Sequence, residues 1–77
     1  MKILTEKQQK KIVEDILNQA EETQTLILTL SENGILSPTE FKNATYWLAG
    51  RTTNLANEIY GMKGVVMCNE KFGIGSK

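Results

Sequence analysis

The segment from Gly34 to Phe41 constrains the fold of this 77-residue chain more than any other, because it combines a helix stop with a helix start. Gly34 suits the left-handed position just beyond a helix, where a Cβ would be strained. Ser37 can cap the next helix, Pro38 can occupy its first turn, and Glu40 can complete a capping box. The segment therefore predicts two consecutive helices joined by a short turn.

The flanking segments have the apolar spacing of helices. A capping box at Thr5 and Gln8 begins a predicted helix over residues 5–33, and the second helix covers 38–61, ending near Gly61. Apolar residues recur every three or four positions along both. The fold class expected is all-α, an antiparallel helical hairpin. Nine residues are expected in its core or in self-association: Val13, Leu17, Ala20, Ile27, Leu30, Phe41, Leu48, Leu55 and Ile59.

The C-terminal residues 62–77 are predicted to form a tail separate from a hairpin domain over residues 1–61. Val65, Val66, Met67 and Cys68 make a short apolar run typical of a strand, and Lys71 to Ile74 could return alongside it. An isolated two-stranded ribbon is marginal in water. The expectation is therefore either a β-ribbon resting on the helices or a disordered tail, with disorder favoured for the Gly-Ile-Gly-Ser-Lys ending.

Chain length makes self-association the simplest way to complete a core. Two helices cannot surround a core, and small chains need a metal, disulfides or oligomerisation. The chain has one cysteine and no histidine, so neither a disulfide within it nor a structural zinc site is expected. Two hairpins would form a dimeric four-helix bundle.

The charges are segregated although the net charge is zero. Residues 1–11 hold four lysines and one glutamate, residues 12–41 hold six acidic residues and no Lys or Arg, and residues 42–77 are again basic. One interpretation is a solvated acidic helix face. The other is that Glu14, Asp15, Glu21 and Glu22 bind a protein partner with a basic surface.

Catalytic constellations are not found in this sequence. Without histidine the usual general base at neutral pH is missing. The adjacent acidic pairs diverge around a helix, so no metal or other cofactor is expected. Cys68 is best interpreted as a small apolar residue. A lone cysteine favours a reducing cytoplasm, and no apolar run suggests a signal peptide or a membrane span. We therefore predict a cytoplasmic protein that is not an enzyme.

The neighbours Tyr46 and Trp47 lie at the edge of the second apolar stripe, close to Arg51. One interpretation is that Trp47 covers the edge of the core. The other is that Tyr46, Trp47 and Arg51 belong to a partner-binding surface, since Trp and Tyr are frequent binding hot spots.

The alternative function is DNA binding through a helix-turn-helix motif. Residues 40–49 would be its first helix, Gly50 its turn, and residues 52–60 its recognition helix. Arg51, Thr52, Thr53, Asn54 and Asn57 could contact phosphates and bases. The scarcity of Lys and Arg around Gly50 argues against nucleic acid as a partner. A continuous helix through Gly50 would remove this motif.

The function predicted from these observations is a small, non-enzymatic protein–protein interaction module, expected to be a homodimer. In its style the chain resembles small accessory proteins of phages and mobile elements, being short, free of histidine and rich in Lys, Asn, Thr and Glu. That resemblance implies a stoichiometric regulator or inhibitor that acts by occupying another protein.

Overall fold

The fold consists of three helices, as described by a computed structural model for residues 3–72. Helix α1 spans Glu6–Glu32, α2 spans Pro38–Tyr60, and α3 spans Met62–Phe72. No strand occurs among residues 3–72. The all-helical class predicted from the sequence is therefore confirmed. The Cα atoms extend over 44 × 27 × 16 Å.

The connection between α1 and α2 has the predicted hydrogen bonds. Gly34 has a φ of 77°. The amide of Ile35 donates to the Leu30 carbonyl at 2.9 Å and the amide of Gly34 donates to the Ser31 carbonyl at 3.1 Å, which is the Schellman pattern. At the start of α2, the Glu40 amide donates to Ser37 Oγ and the Ser37 amide donates to Glu40 Oε1.

The start of α1 also follows the prediction. The Gln8 amide donates to Thr5 Oγ1 at 3.1 Å, and the Thr5 amide donates to Gln8 Oε1 at 2.9 Å. This reciprocal pair satisfies two amides that the first helical turn leaves without an intrahelical partner.

The prediction of a ribbon or disordered tail is wrong for residues 62–72. The run from Val65 to Cys68 lies within the helix α3, not in a strand. An isolated helix of 11 residues would be unstable, so burial against the other helices must outweigh the weak helix propensity of two valines and a glycine. The proposed return strand from Lys71 to Ile74 begins inside α3, and the rest of it lies outside the described residues, as does the C-terminal ending expected to be disordered.

The core lies where α3 meets the other two helices. Val13, Leu17, Ala56 and Cys68 form its buried cluster. Four partly buried side chains surround that cluster: Ile59, Tyr60, Met67 and Phe72.

Helices α2 and α3 approach closely at Gly64. A Cβ on this glycine would lie 2.4 Å from the backbone oxygen of Ala56. Glycine at this position therefore permits the two backbones to pack directly against each other, which brings Cys68 into the core.

Burial is uneven along the hairpin. Of the described residues between Ala20 and Ala49, none is buried, although this stretch contains the end of α1 and the start of α2. We call residues 21–48 the turn half, and residues 3–20 together with 49–72 the three-helix half. The turn half exposes six large apolar side chains: Leu26, Leu28, Leu30, Ile35, Tyr46 and Trp47.

The nine residues expected in the core or in self-association are divided between these halves. Val13, Leu17 and Ala20 are buried. Four others are only partly buried: Ile27, Phe41, Leu48 and Ile59. Leu30 and Leu55 remain 39 % and 45 % exposed within the single chain, because α3 does not cover their faces and Ala56 takes the inward position beside Leu55.

Helix α2 runs without interruption through Gly50. The turn that the helix-turn-helix alternative placed at this residue is therefore absent from the structure. Helix propensity of the flanking residues outweighs the cost of one glycine, which is about 1 kcal/mol in a helix interior.

Candidate functional site

Two aromatic side chains protrude from the turn half of α2. Tyr46 is 66 % exposed and Trp47 is 63 % exposed. They are consecutive on a helix and therefore point about 100° apart. The interpretation in which Trp47 covers the edge of the core does not describe this structure, since most of this side chain is exposed.

Each aromatic ring is accompanied by a cation one helical turn away. The Lys42 ammonium lies 5.9 Å from the centroid of the Tyr46 ring, and the Arg51 guanidinium lies 5.7 Å from the Trp47 ring. Both distances fall within the range of a cation–π contact. We call Lys42, Tyr46, Trp47 and Arg51 the aromatic strip. Arg51 was predicted to belong with the two aromatics, whereas Lys42 was missed, although its i, i+4 spacing from Tyr46 was readable in the sequence.

An open groove lies beside the aromatic strip, between α1 and α2. It has a volume of about 420 Å³, and Ile16, Arg51 and Leu55 are among its lining residues, with Thr52, Asn54 and Glu58. Helix α3 contributes no residue to this lining. The groove therefore opens on a face of the α1–α2 pair that α3 does not cover.

The four acidic residues predicted to bind a partner are all exposed on α1. Two of them form ion pairs within the chain. Asp15 Oδ1 lies 2.6 Å from Lys11 Nζ, and Glu21 Oε1 lies 3.1 Å from Lys71 Nζ on α3. Glu14 and Glu22 have no ion-pair partner among residues 3–72. Lysines of the same chain thus pair with two of the four carboxylates that were predicted to bind a basic partner.

A second polar cluster joins the start of α1 to the junction of α2 and α3. Glu6 Oε2 accepts a hydrogen bond from Lys63 Nζ at 2.6 Å and another from the Tyr60 hydroxyl at 3.2 Å. The bond from Lys63, followed by that from Tyr60, lowers the pKa of Glu6, and the same carboxylate raises the pKa of Lys63. Desolvation and then the bond to Glu6 raise the pKa of Tyr60. The cluster therefore links all three helices through one carboxylate.

The Cys68 thiol lies in the core. Its side chain is fully buried, and Sγ donates to the Thr52 carbonyl at 3.8 Å. Burial raises the pKa of the thiol, which disfavours the reactive thiolate. The position agrees with the interpretation of Cys68 as a small apolar residue, with a helix instead of the expected strand around it.

The described residues contain no group of three or more His, Cys, Asp or Glu side chains arranged to hold a metal ion. None of the helices within residues 3–72 combines the length and the apolar composition needed to cross a membrane.

Comparison with known protein families, curated proteins and solved structures yields no match to this chain.

Proposed function

We propose that this protein is a small, non-enzymatic interaction module that binds another protein through the aromatic strip of α2. The observation that carries the proposal is the exposure of Tyr46 and Trp47, at 66 % and 63 %, on the continuous helix α2. Trp, Tyr and Arg are the residues most enriched among binding hot spots. A partner that buried Trp47 would remove a large apolar surface from water without having to order a loop.

The chemistry of the strip indicates what kind of partner surface would fit. Lys42 and Arg51 place two positive charges beside the two rings. An apolar pocket for the Trp47 indole, edged by carboxylates that pair with these cations, would satisfy both features. Stoichiometric regulation of such a partner, by occupying its surface, is the role that this arrangement supports.

The acidic residues of α1 provide a second contact within the same proposal. Glu14 and Glu22, which have no ion-pair partner among the described residues, can attract basic groups on the partner. Exposed charges of this kind affect association rate and salt dependence more than affinity. We therefore assign the acidic residues to steering and the aromatic strip to affinity.

The test is a comparison of two truncations at equally exposed apolar residues. Trp47→Ala removes the proposed anchor, and Met62→Ala is the control, since Met62 is 71 % exposed at a distant position. In quantitative affinity capture from an extract of the source cells, a genuine partner is retained by the wild type and by Met62→Ala and is lost with Trp47→Ala. Equal retention by all three proteins would overturn the proposal.

A direct measurement then uses the single tryptophan of the chain. Titrating the captured partner into the protein should shift the Trp47 emission to shorter wavelength, because the indole moves from water into an apolar pocket. Saturable binding with unchanged emission would place the contact elsewhere on the molecule.

A further inference from the structure

The open groove between α1 and α2 is lined by two charged side chains that have no ion-pair partner among residues 3–72. Arg51 and Glu58 both belong to α2 and lie seven residues apart. Their backbone positions are separated by about 10 Å along the helix axis, and neither side chain takes part in an ion pair within the described part of the chain. The groove therefore has a cation at one end and a carboxylate at the other, each available to a neighbouring molecule.

Between the two charges, both helices contribute an apolar side chain to the groove. Ile16 of α1 is partly buried, and Leu55 of α2 is 45 % exposed. Leu55 thus borders a cavity of about 420 Å³ and also remains accessible from outside the chain. A surface that combines an accessible apolar side chain with a cavity can be complementary to an identical surface, which is the requirement for a two-fold symmetric contact.

We propose that a second copy of this chain covers the groove, with the two α2 helices packed antiparallel about a two-fold axis that passes between Asn54 and Leu55. In this arrangement Arg51 lies opposite Glu58 of the second copy, and Asn54 lies opposite its Leu55. Leu55 of each copy packs near Ile16 and Leu55 of the other. Two-fold symmetry makes every contact between different residues occur twice, so one arrangement pairs all four groove charges.

The charges of α2 agree with this register at every position of the contact. The two α2 helices overlap over residues 49–60, and Arg51 and Glu58 are the only charged residues in that range. The antiparallel arrangement sets each of them against the opposite charge, and no like charges of α2 face each other. A parallel pair in register would instead set Arg51 against Arg51 and Glu58 against Glu58, which disfavours association. Charge complementarity therefore favours a second copy in the antiparallel orientation.

Arg51 can pair with Glu58 of the second copy while it stays on the Trp47 ring. Its guanidinium lies 5.7 Å from the centroid of that ring, and a guanidinium stacks through its face but donates hydrogen bonds through its edge. Helix α2 of the second copy ends at Tyr60, opposite residue 49, so both rings of the aromatic strip lie beyond the contact between the helices. The dimer therefore leaves these rings exposed and does not depend on the function proposed for them.

The first test measures the mass of the full chain by light scattering over a wide range of protein concentration. We expect twice the chain mass of 8.6 kDa for the wild type. Leu55→Asp should give the monomer mass with unchanged helicity, because it places a carboxylate at the apolar centre of the contact. The matched control is Leu28→Asp, which should stay dimeric, since Leu28 is 46 % exposed and lies outside the contact. A wild type that is monomeric throughout, or a dimeric Leu55→Asp variant, would overturn the proposal.

The second test reverses the groove charges and leaves the apolar residues unchanged. Arg51→Glu and Glu58→Arg should each shift the protein to the monomer mass, because each change sets like charges opposite each other twice. The double variant restores opposite charges at both places and should recover the dimer mass, as should an equimolar mixture of the two single variants. Lys42→Glu, a charge reversal on α2 outside the contact, is the control and should stay dimeric. Single variants that remain dimeric, or a double variant that remains monomeric, would contradict the antiparallel register.

Discussion

The turn half and the three-helix half of this molecule are held together by different interactions. In the turn half, the Schellman ending at Gly34 and the capping box of Ser37 and Glu40 satisfy the backbone, yet no described residue there is buried. In the three-helix half, Val13, Leu17, Ala56 and Cys68 form a buried cluster to which α3 contributes. Local hydrogen bonds thus define the geometry of one half, and apolar burial stabilises the other.

The interactions that determine the turn geometry are therefore different from those that contribute most to the free energy of unfolding. Capping interactions contribute about 0.5–2 kcal/mol each, and they act whether or not a core forms. Full burial of an aliphatic side chain contributes about 1.5–3 kcal/mol and needs a neighbour on several sides. Among residues 3–72 the turn half has no such neighbour, so its large apolar side chains remain exposed.

The largest effect is expected from truncating a leucine in the three-helix half. Leu17→Ala should lower the free energy of unfolding by about 2–5 kcal/mol, because it leaves a cavity in the buried cluster. Leu28→Ala, the same change on the same helix in the turn half, should cost about 0.5 kcal/mol or less, since Leu28 is 46 % exposed. Urea denaturation followed by circular dichroism measures both. Equal losses would remove the distinction between the halves.

A smaller change in the free energy of unfolding is expected from replacing a glycine by alanine, and its sign should differ between Gly64 and Gly50. Gly64→Ala should destabilise by about 1–3 kcal/mol, because the new Cβ would collide with the Ala56 backbone and force α2 and α3 apart. Gly50→Ala has open space around it in the middle of α2 and should stabilise by about 0.5–1 kcal/mol. Thermal unfolding gives both values. A Gly64→Ala variant as stable as the wild type would show that the close approach is not needed.

The smallest effect is expected from the exposed cluster of Glu6, Tyr60 and Lys63, which links the three helices. The pKa of Glu6 is lowered in the folded chain by Lys63 and Tyr60, so its contribution to stability is present above the ordinary pKa of a glutamate, about 4.3. The contribution is lost as pH falls through the lower pKa of the folded state. Glu6→Gln should therefore flatten the acid side of the stability profile and have little effect in strong acid.

The control for this measurement is Glu14→Gln, which alters a carboxylate without an ion pair among the described residues. Its denaturation midpoints should follow the wild-type profile between neutral and acidic pH. If Glu6→Gln follows that profile as well, the cluster around Glu6 does not stabilise the three-helix half.

The parts of the fold that were predictable from the sequence are those determined by neighbouring residues. Thr5 with Gln8 and Ser37 with Glu40 act over three residues, and Gly34 acts at one position, so their roles can be recognised without knowing the fold. Because Trp47 lies at the edge of the apolar stripe, the sequence allows its exposure as one of two interpretations. The contact between Arg51 and Trp47 was also predictable, because residues four positions apart on a helix are neighbours.

Helix α3 was not predictable in this way, because its stability comes from residues distant in sequence. A run of four apolar residues at 65–68 has no distinct period, and strand and helix then look alike. The useful signal was the four-residue spacing of Gly64, Cys68 and Phe72, a face that packs on α2 and contributes to the core. Recognising that face requires knowing that the backbone of Ala56 lies directly against Gly64 in the fold.

Gly61, the single residue between α2 and α3, lets α3 turn back onto its own chain. Its φ of 66° and ψ of −148° lie in a region accessible almost only to glycine. A side chain would be strained at these angles, and helical angles at this position would instead fuse α2 and α3 into one rod and carry α3 away from Val13 and Leu17. The same three-helix core could then be rebuilt only with α3 from another molecule, as in domain swapping. The glycine thus favours packing of α3 within its own chain.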